Sequence, residues 1–186
     1  MKNELMIDIE TTGQKPGCKV LSLGAFGFNK DGKQCEFYVR FAIDKQRLAG
    51  LTDDHATISW WNRQNKEVRD EAFGGKTDPL EGLTDFKKWF YANFSTDNGD
   101  GFKVWCCGLD FDFPILQNFM GAFGFSLPWK FWTQFDYRTI KNLFAYVKPS
   151  EGNVAAHNAL EDCKAQMRGL RAFYDRMSKH PEAWTE

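Results

Sequence analysis

The chain has 186 residues, a formal net charge of -1 at pH 7, and a composition in which 42% of the residues are hydrophobic and 16% are aromatic. This length and composition predict a single folded domain over residues 1–186, with a sizeable core, and exclude a disordered chain. The near-neutral charge argues against a protein that coats long nucleic acids by bulk electrostatics. It does not exclude an enzyme that binds one strand end locally.

Cysteine usage and hydropathy bear on the compartment of the protein. No segment approaches the ~18 apolar residues needed to span a bilayer, so no membrane partner is expected. The five cysteines show no Cys-x-x-Cys spacing, and no apolar signal segment follows Met1. These features predict a reduced, cytoplasmic protein. The many aromatic residues fit a core or a dimer interface, so a monomer and a homodimer both remain open.

The first part of the chain predicts three strands. The first covers residues 4–10, and a turn at 16–17 leads into the second at 19–28. A hairpin turn over residues 29–33, which contains Asp-Gly, joins it to a third strand at 34–43. Together these segments predict an antiparallel meander at the start of the fold.

The rest of the chain is mainly helical in pattern. A helix is predicted through residues 57–61 and another over 79–94, where apolar residues recur at every third or fourth position. A short buried strand is predicted next, over residues 102–107. Three more helices follow, over residues 113–123, 138–147 and 158–177. A meander followed by alternating helices and strands predicts an α/β fold with a mixed sheet.

Two carboxylates interrupt the apolar pattern of the first strand. Asp8 and Glu10 lie two residues apart and therefore project from the same face, with side-chain origins roughly 6 to 7 Å apart. Such a pair repels unless a cation lies between the two groups, and a divalent metal is the commonest compensation for buried carboxylates. The alternative is an edge strand whose polar face is in water.

Two further acids follow the predicted buried strand. Asp110 and Asp112 lie at its end, where α/β proteins usually place their chemistry. Pro114 fits the first turn of the next helix, and Asp112 fits its N-cap, where a carboxylate satisfies free backbone N–H groups. Asp112 is therefore a cap or a metal neighbour, and the two roles are compatible because a second oxygen stays free.

The last candidate segment contains His157 and Asp162. On one helix a spacing of five residues would turn these side chains about 140° apart. We therefore place His157 on the loop before the helix, with Asn158 as the cap and Asp162 as the carboxylate that flanks the apolar stripe. A histidine in this position is often purely structural, so this segment alone decides little.

Taken together, the three segments resemble the DEDD superfamily of 3′–5′ exonucleases. Members of that superfamily carry an Asp-x-Glu, a central Asp and a late Asp as metal ligands on an RNase H-like fold. Asp8 and Glu10 match the first motif, Asp112 the second and Asp162 the third. The spacing between His157 and Asp162 matches the histidine branch of the superfamily.

A closer resemblance runs over residues 4–175. The chain is similar to the small single-domain exonuclease A family of tailed phages and to a related actinobacterial exoribonuclease family. Related sequences usually have a small or neutral residue near Asp110, and the Phe-Asp pair selects Asp112 as the metal neighbour. The motifs that carry this resemblance are Ser59-Trp60-Trp61, Trp105-Cys106, Phe111-Asp112-Phe113-Pro114-Ile115-Leu116, Lys130-Phe131-Trp132, Asp136-Tyr137-Arg138-Thr139 and the segment from His157 to Cys163.

The resemblance implies a mechanism with two Mg²⁺ or Mn²⁺ ions. By that resemblance Asp8 bridges the two ions, Glu10 and Asp162 hold one of them, and Asp112 serves the other. His157 acts as the general base, since a histidine with a pKa near 6.5 can accept a proton at neutral pH. Two such ions about 3.5 to 4 Å apart can activate water and stabilise the departing oxygen.

Substrate contacts are also implied. Trp60 and Trp61 are candidates for base stacking, although both also suit core packing. Arg138 either binds a phosphate or pairs with Asp136. The residues that the resemblance assigns to the terminal nucleotide are Thr11, Thr12 and Gly13.

The sequence therefore predicts a metal-dependent 3′–5′ exonuclease that releases nucleoside 5′-monophosphates from the 3′ ends of single-stranded DNA or RNA. The phage-like resemblance favours DNA. One alternative is a catalytically silent module of the same fold that binds single strands, against which the intact acid set argues. Another is an RNase H-like endonuclease or strand-transfer enzyme, a class that lacks the late His-x-x-x-x-Asp.

Overall fold

The computed structural model describes residues 1–97, 101–144 and 157–179. Five strands form one sheet in the order β3-β2-β1-β4-β5. The first three pair antiparallel, and β4 and β5 run parallel to β1. The strands are β1 Glu4–Thr11, β2 Val20–Phe28, β3 Gln34–Arg40, β4 Lys103–Cys106 and β5 Gln134–Asp136. The predicted mixed sheet with an initial meander is confirmed.

Seven helices and one 3₁₀ turn complete the described part of the chain. Within the described residues no helix combines the length and apolar character needed to cross a membrane. The helices are α1 Ile43–Leu48, α2 His55–Trp61, α3 Lys66–Phe73, α4 Pro79–Asn93, α5 Asp112–Ala122, α6 Tyr137–Leu143 and α7 Ala159–Lys179, and the 3₁₀ turn is Phe131–Thr133.

Several boundaries differ from the sequence prediction. The third strand ends at Arg40 instead of residue 43. The buried Gln46 side chain of α1 bonds both the N–H and the C=O of Val20 in β2, so these groups are not free to pair with a longer β3. The strand β5 and the helices α1 and α3 were not predicted. Only three residues of β5 pair with β4, so the sequence carries no alternation long enough to mark it. Residues 145–147 of the predicted helix 138–147 lie outside the described residues.

The side chains of β1 divide the core into two layers. Leu5, Ile7 and Ile9 face a cluster that includes the apolar faces of α4 and α5. Met6 faces the other way, into a cluster with Phe26, Trp105 and the buried side chains of α7. Because strand side chains alternate, Asp8 and Glu10 project from the same face of the sheet as Met6, on the side covered by α7.

A glycine in β2 allows α7 to lie directly on the sheet. Gly24 pairs with Asp8 in the β1–β2 register. A Cβ at Gly24 would lie 2.3 Å from the carbonyl carbon of Ala159 and 2.4 Å from the backbone nitrogen of Leu160. The first turn of α7 therefore requires glycine at this position, and the contact places that turn opposite Asp8.

The start of α7 is also fixed by a side-chain cap. The Asn158 Oδ1 atom accepts hydrogen bonds from the backbone N–H groups of Leu160 (3.1 Å) and Glu161 (3.2 Å), which confirms the predicted cap. The Nδ2 atom of Asn158 lies 3.3 Å from the Tyr38 hydroxyl and 3.3 Å from a Glu71 carboxylate oxygen. The cap thus connects α7 to β3 and α3.

Candidate active site

Three carboxylates meet where β1 approaches α7. One oxygen each from Asp8, Glu10 and Asp162 lies within 4.8 Å of the others. Asp8 and Glu10 come from one face of β1, and Asp162 comes from the first turn of α7. All three side chains keep part of their surface exposed. The arrangement offers only oxygen ligands, which suits hard divalent cations such as Mg²⁺ and Mn²⁺.

The pKa values of these three carboxyl groups are all raised, by burial and by repulsion from neighbouring acids. Burial, then the charges of Asp162 and Asp112, raises the pKa of Glu10 to about 8. Burial together with Asp112, Glu10 and Asp162 raises the pKa of Asp8 well above its ordinary range. Burial and the neighbouring Glu161 raise the pKa of Asp162 to about 6. A divalent cation would relieve this repulsion, so the residues present fit such an ion.

Asp112 lies beside this group but is not part of the triplet within 4.8 Å. Its side chain is 2% exposed, and its charge acts on both Asp8 and Glu10. Burial raises the pKa of Asp112 to about 7, although hydrogen bonds from the Ile9 backbone and from Cys106 act in the other direction. Such a carboxylate is readily ionised once a cation approaches.

The predicted capping role of Asp112 is wrong. The N-cap of α5 is Phe111, and no side chain caps this helix end. A turn at Gly108, whose φ is 130°, precedes the helix, and Asp112 is the first helical residue, one position past the N-cap. The neighbouring Asp110 is exposed and lines a different cleft.

His157 lies on the turn before α7, as the spacing predicted. Its backbone is left-handed, with a φ of 66°. Its ring packs edge-on against two indoles, with centroid separations of 4.7 Å to Trp60 and 5.8 Å to Trp61. Burial lowers the pKa of His157, so the ring is neutral at pH 7. His157 is not part of the group formed by Asp8, Glu10 and Asp162, whose oxygens lie close enough together to hold a metal ion.

The two adjacent tryptophans have different environments. Trp61 is 1% exposed, and its indole N–H donates to the Thr11 carbonyl at 2.9 Å. It packs in a small cluster with Leu21, so its surroundings are those of a core residue. Trp60 is partly exposed, and both rings line a cleft. Trp60 is therefore the more accessible of the two rings.

That cleft has a volume of about 580 Å³ and opens beside the carboxylates. This volume is within the usual range for small-ligand sites. Its walls include Glu10, Thr11, Gly13, Trp60, Arg63 and Phe111. Four of the six predicted substrate residues, Thr11, Gly13, Trp60 and Trp61, thus line a cleft that also contains Glu10.

The loop after β1 is held tightly. The Thr11 hydroxyl donates to the Gly13 carbonyl at 2.6 Å. Thr12 is fully buried and its hydroxyl donates to the Thr52 carbonyl at 3.2 Å. A Cβ at Gly13 would lie 2.7 Å from the Cβ of Cys18, so the turn needs glycine. Thr12 consequently shapes this loop from behind and does not line the cleft.

Arg138 is exposed and lies near a second cleft of about 570 Å³. Its guanidinium donates to the Cys107 carbonyl at 2.7 Å and lies over Gly108. Asp136 instead accepts from the backbone N–H of Arg138, at 3.1 Å. The expected ion pair between these side chains is therefore replaced by a helix cap. The guanidinium charge also lowers the pKa of Asp112.

Sequence reasoning missed one residue that touches the acidic group. The Gln166 Nε2 atom donates to the Asp8 Oδ1 atom at 3.1 Å. Gln166 follows Asp162 by four residues, so both project from one face of α7. The spacing of four residues from Asp162 was the only clue to Gln166 in the sequence. It does not show that this face of α7 lies above β1, because that depends on how α7 packs on the sheet.

The order of the sheet, with carboxylates at the end of its central strand and on the last described helix, is that of an RNase H-like fold, the fold of the DEDD exonucleases. E. coli Exonuclease I bound to a dT13 oligonucleotide has a similar fold, with a TM-score of 0.60 and 13% identity over 95% of this chain and 43% of that one. A complex of the same exonuclease described as ExoI/SSB-Ct gives a TM-score of 0.62 at 12% identity, over 95% and 42% of the two chains. The chain spans less than half of Exonuclease I, and this likeness establishes the fold alone.

The chain belongs to the family of the 3′-5′ exoribonuclease Rv2179c-like domain, whose model matches residues 3–174. It is also 26% identical to an exodeoxyribonuclease of Enterobacteria phage T4 over 196 aligned residues, which cover 86% of this chain and 84% of the phage protein. The protein is therefore a 3′–5′ exonuclease, a hydrolase that acts on nucleic acid.

Proposed function

We propose that this exonuclease depends on two Mg²⁺ or Mn²⁺ ions and removes nucleoside 5′-monophosphates from single-stranded 3′ ends, with DNA preferred over RNA. The observation that carries the proposal is the approach of three carboxylates within 4.8 Å, where burial and mutual repulsion raise the pKa of Asp8 and Glu10. The similarity to a phage exodeoxyribonuclease supports DNA as the substrate. When bound, the two ions would supply activation of water and neutralisation of charge at phosphorus.

The proposed ligands divide by element. Asp8 would serve both ions. Glu10 and Asp162 would hold one of them, and Asp112 would serve the other. Support comes from the match of these four residues to the DEDD pattern and from the charge coupling of Asp112 to Asp8 and Glu10.

The thiols near this site support an oxygen-only ligand set. Cys106 and Cys163 are fully buried, and burial raises the pKa of both, so they stay protonated. A protonated thiol is a poor metal ligand. All five cysteines are free, which supports the further proposal of a reducing, cytoplasmic location.

We propose His157 as the general base that accepts a proton from the attacking water. Its lowered pKa keeps the ring neutral and able to accept a proton. The ring lies against Trp60, which lines the cleft, and in this proposal it would reach the reacting water once a strand end is bound. Geometry in a substrate-free exonuclease does not exclude this role, since catalytic hydrogen bonds often tighten only in the complex.

The terminal nucleotide is proposed to occupy the cleft beside Glu10. The Thr11–Gly13 backbone forms one wall, and Thr12 and Trp61 hold that backbone from behind. Trp60 offers a ring face for a base. Arg138 is proposed to bind a backbone phosphate at the second cleft, which shares Gln14 and Phe111 with the first.

A single gel experiment tests this function. The protein is incubated with 5′-labelled single-stranded DNA or RNA in the presence of Mg²⁺, Mn²⁺ or EDTA. We expect a ladder that shortens from the 3′ end, is blocked by EDTA and forms faster on DNA. Internal cuts would indicate an endonuclease, and a mobility shift without cleavage would indicate a silent binding module.

A further inference from the structure

Asp8 has one neutral hydrogen-bond donor in a strongly acidic environment. The Gln166 amide N–H donates to the Asp8 Oδ1 atom at 3.1 Å. The carboxylates of Glu10, Asp112 and Asp162 also act on Asp8. Because an ionised carboxylate has no proton to donate, the Gln166 amide gives Asp8 a hydrogen bond that these three acids do not supply when ionised.

The orientation of the Gln166 amide is determined by this contact. Its Oε1 atom is buried and has no hydrogen-bond partner among the described residues. A buried acceptor without a partner costs free energy. Turning the amide over would place Oε1 against the Asp8 carboxylate, where two acceptors repel. The side chain therefore keeps its N–H donor on Asp8, although this orientation leaves its Oε1 atom without a hydrogen bond.

Gln166 is also well placed to fix the geometry of the acidic group as a whole. It lies one helical turn after Asp162 on α7, and the base of that helix rests on β2 at Gly24, opposite Asp8. A single rigid element thus supplies both the carboxylate that approaches Asp8 and the amide that holds it.

We propose that Gln166 is a positioning residue of the metal site, which holds the Asp8 carboxylate in the orientation in which it meets Glu10 and Asp162. This inference rests on the proposed metal-dependent function. It predicts that the amide contributes to the affinity for the cation and not to the binding of nucleic acid. Loss of a residue that orients a metal ligand typically costs about 10- to 100-fold in affinity.

The test uses the full chain stripped of metal with a chelator, then titrated with Mn²⁺ and followed by electron paramagnetic resonance. Gln166→Met keeps the length of the side chain and removes the donor. Gln117→Met is the matched control, because Gln117 is an exposed glutamine on α5 away from the carboxylates. Gln166→Ala, which favours helix, replaces Gln166→Met if the circular dichroism of that variant is not native.

We expect the Mn²⁺ dissociation constant to rise at least ten-fold in Gln166→Met and to stay within two-fold of wild type in Gln117→Met. The Mn²⁺ concentration for half-maximal hydrolysis should rise in parallel, while the KM for an oligonucleotide at saturating Mn²⁺ is unchanged. Equal Mn²⁺ affinity in Gln166→Met and wild type, with a lowered melting temperature of the metal-free variant, would show a merely structural role and overturn the inference. Absence of Mn²⁺ binding by the wild type would instead refute the proposed function.

Discussion

The contrast between Asp110 and Asp112 can be tested at the level of single residues. Asp112 is buried and its charge acts on Asp8 and Glu10, whereas Asp110 is exposed. We expect Asp112→Asn to abolish hydrolysis without lowering the melting temperature, because it removes one of several repelling charges. Asp110→Asn, the matched control, should retain hydrolysis. Single-turnover hydrolysis and thermal melts measure both, and loss of activity in Asp110→Asn alone would reverse the assignment.

The two adjacent tryptophans give a second prediction at this scale. Trp60→Ala should raise the KM for an oligonucleotide about five-fold or more, since stacking on an aromatic ring contributes ~1 to 3 kcal/mol per base. Trp61→Ala should instead destabilise the fold by about 3 to 5 kcal/mol, because the ring is buried and holds the Thr11 carbonyl. Steady-state kinetics and denaturant unfolding separate the two effects. Equal KM values for Trp60→Ala and wild type would remove Trp60 from the substrate site.

At the scale of elements, the seating of α7 on β2 decides the position of Asp162. A Cβ at Gly24 would lie 2.3 Å from the Ala159 backbone, so Gly24→Ala should displace the first turn of α7 from β1. We expect reduced Mn²⁺ affinity, slower hydrolysis and a lower melting temperature.

The control for this prediction is another glycine in a regular element. Gly121 lies in α5, and a Cβ built there meets no atom within 4 Å. Gly121→Ala should leave Mn²⁺ affinity unchanged and should raise stability by up to about 1 kcal/mol, since alanine favours helix. If Gly24→Ala binds Mn²⁺ as tightly as Gly121→Ala does, the close approach of α7 is not what positions Asp162.

The elements also show where sequence patterns were sufficient. The cap at Asn158 was predicted because a capping side chain acts within one turn, and its bonds to Leu160 and Glu161 are local. The end of β3 was misplaced because Gln46 of α1 bonds the backbone of Val20 in β2, a contact between two elements. The local cap at Asn158 was therefore predictable from sequence, whereas the contact between α1 and β2 that ends β3 was not.

For the whole molecule, the ionised acids of the site destabilise the folded state at high pH when no metal is bound. The pKa values of Asp162, Asp112 and Glu10 are raised by burial to about 6, 7 and 8. Because the folded values exceed the unfolded values near 4, these groups favour the folded state at low pH, and that contribution is lost as the pH rises to about 8. The metal-free protein should therefore melt at a lower temperature at pH 8.5 than at pH 6.

Metal should reverse this dependence. Saturating Mg²⁺ should raise the melting temperature more at pH 8.5 than at pH 6, because at pH 6 it must displace protons from the carboxylates. Differential scanning calorimetry with and without EDTA measures both shifts. A Mg²⁺ effect that is equal at the two pH values would contradict the proposed coupling of folding to charge at this site.

The sequence by itself determined the meander, the placement of Asp8 and Glu10 on one face of β1, and the loop position of His157. These properties follow from the periodicity and spacing of contiguous residues. Only the tertiary structure decided that Asp112 does not cap α5, that Trp61 is buried while Trp60 is partly exposed, and that Gln166 meets Asp8 across 158 residues of chain. The physical reason is that these outcomes depend on how the helices pack on the sheet, and such packing is set by contacts between residues far apart in sequence.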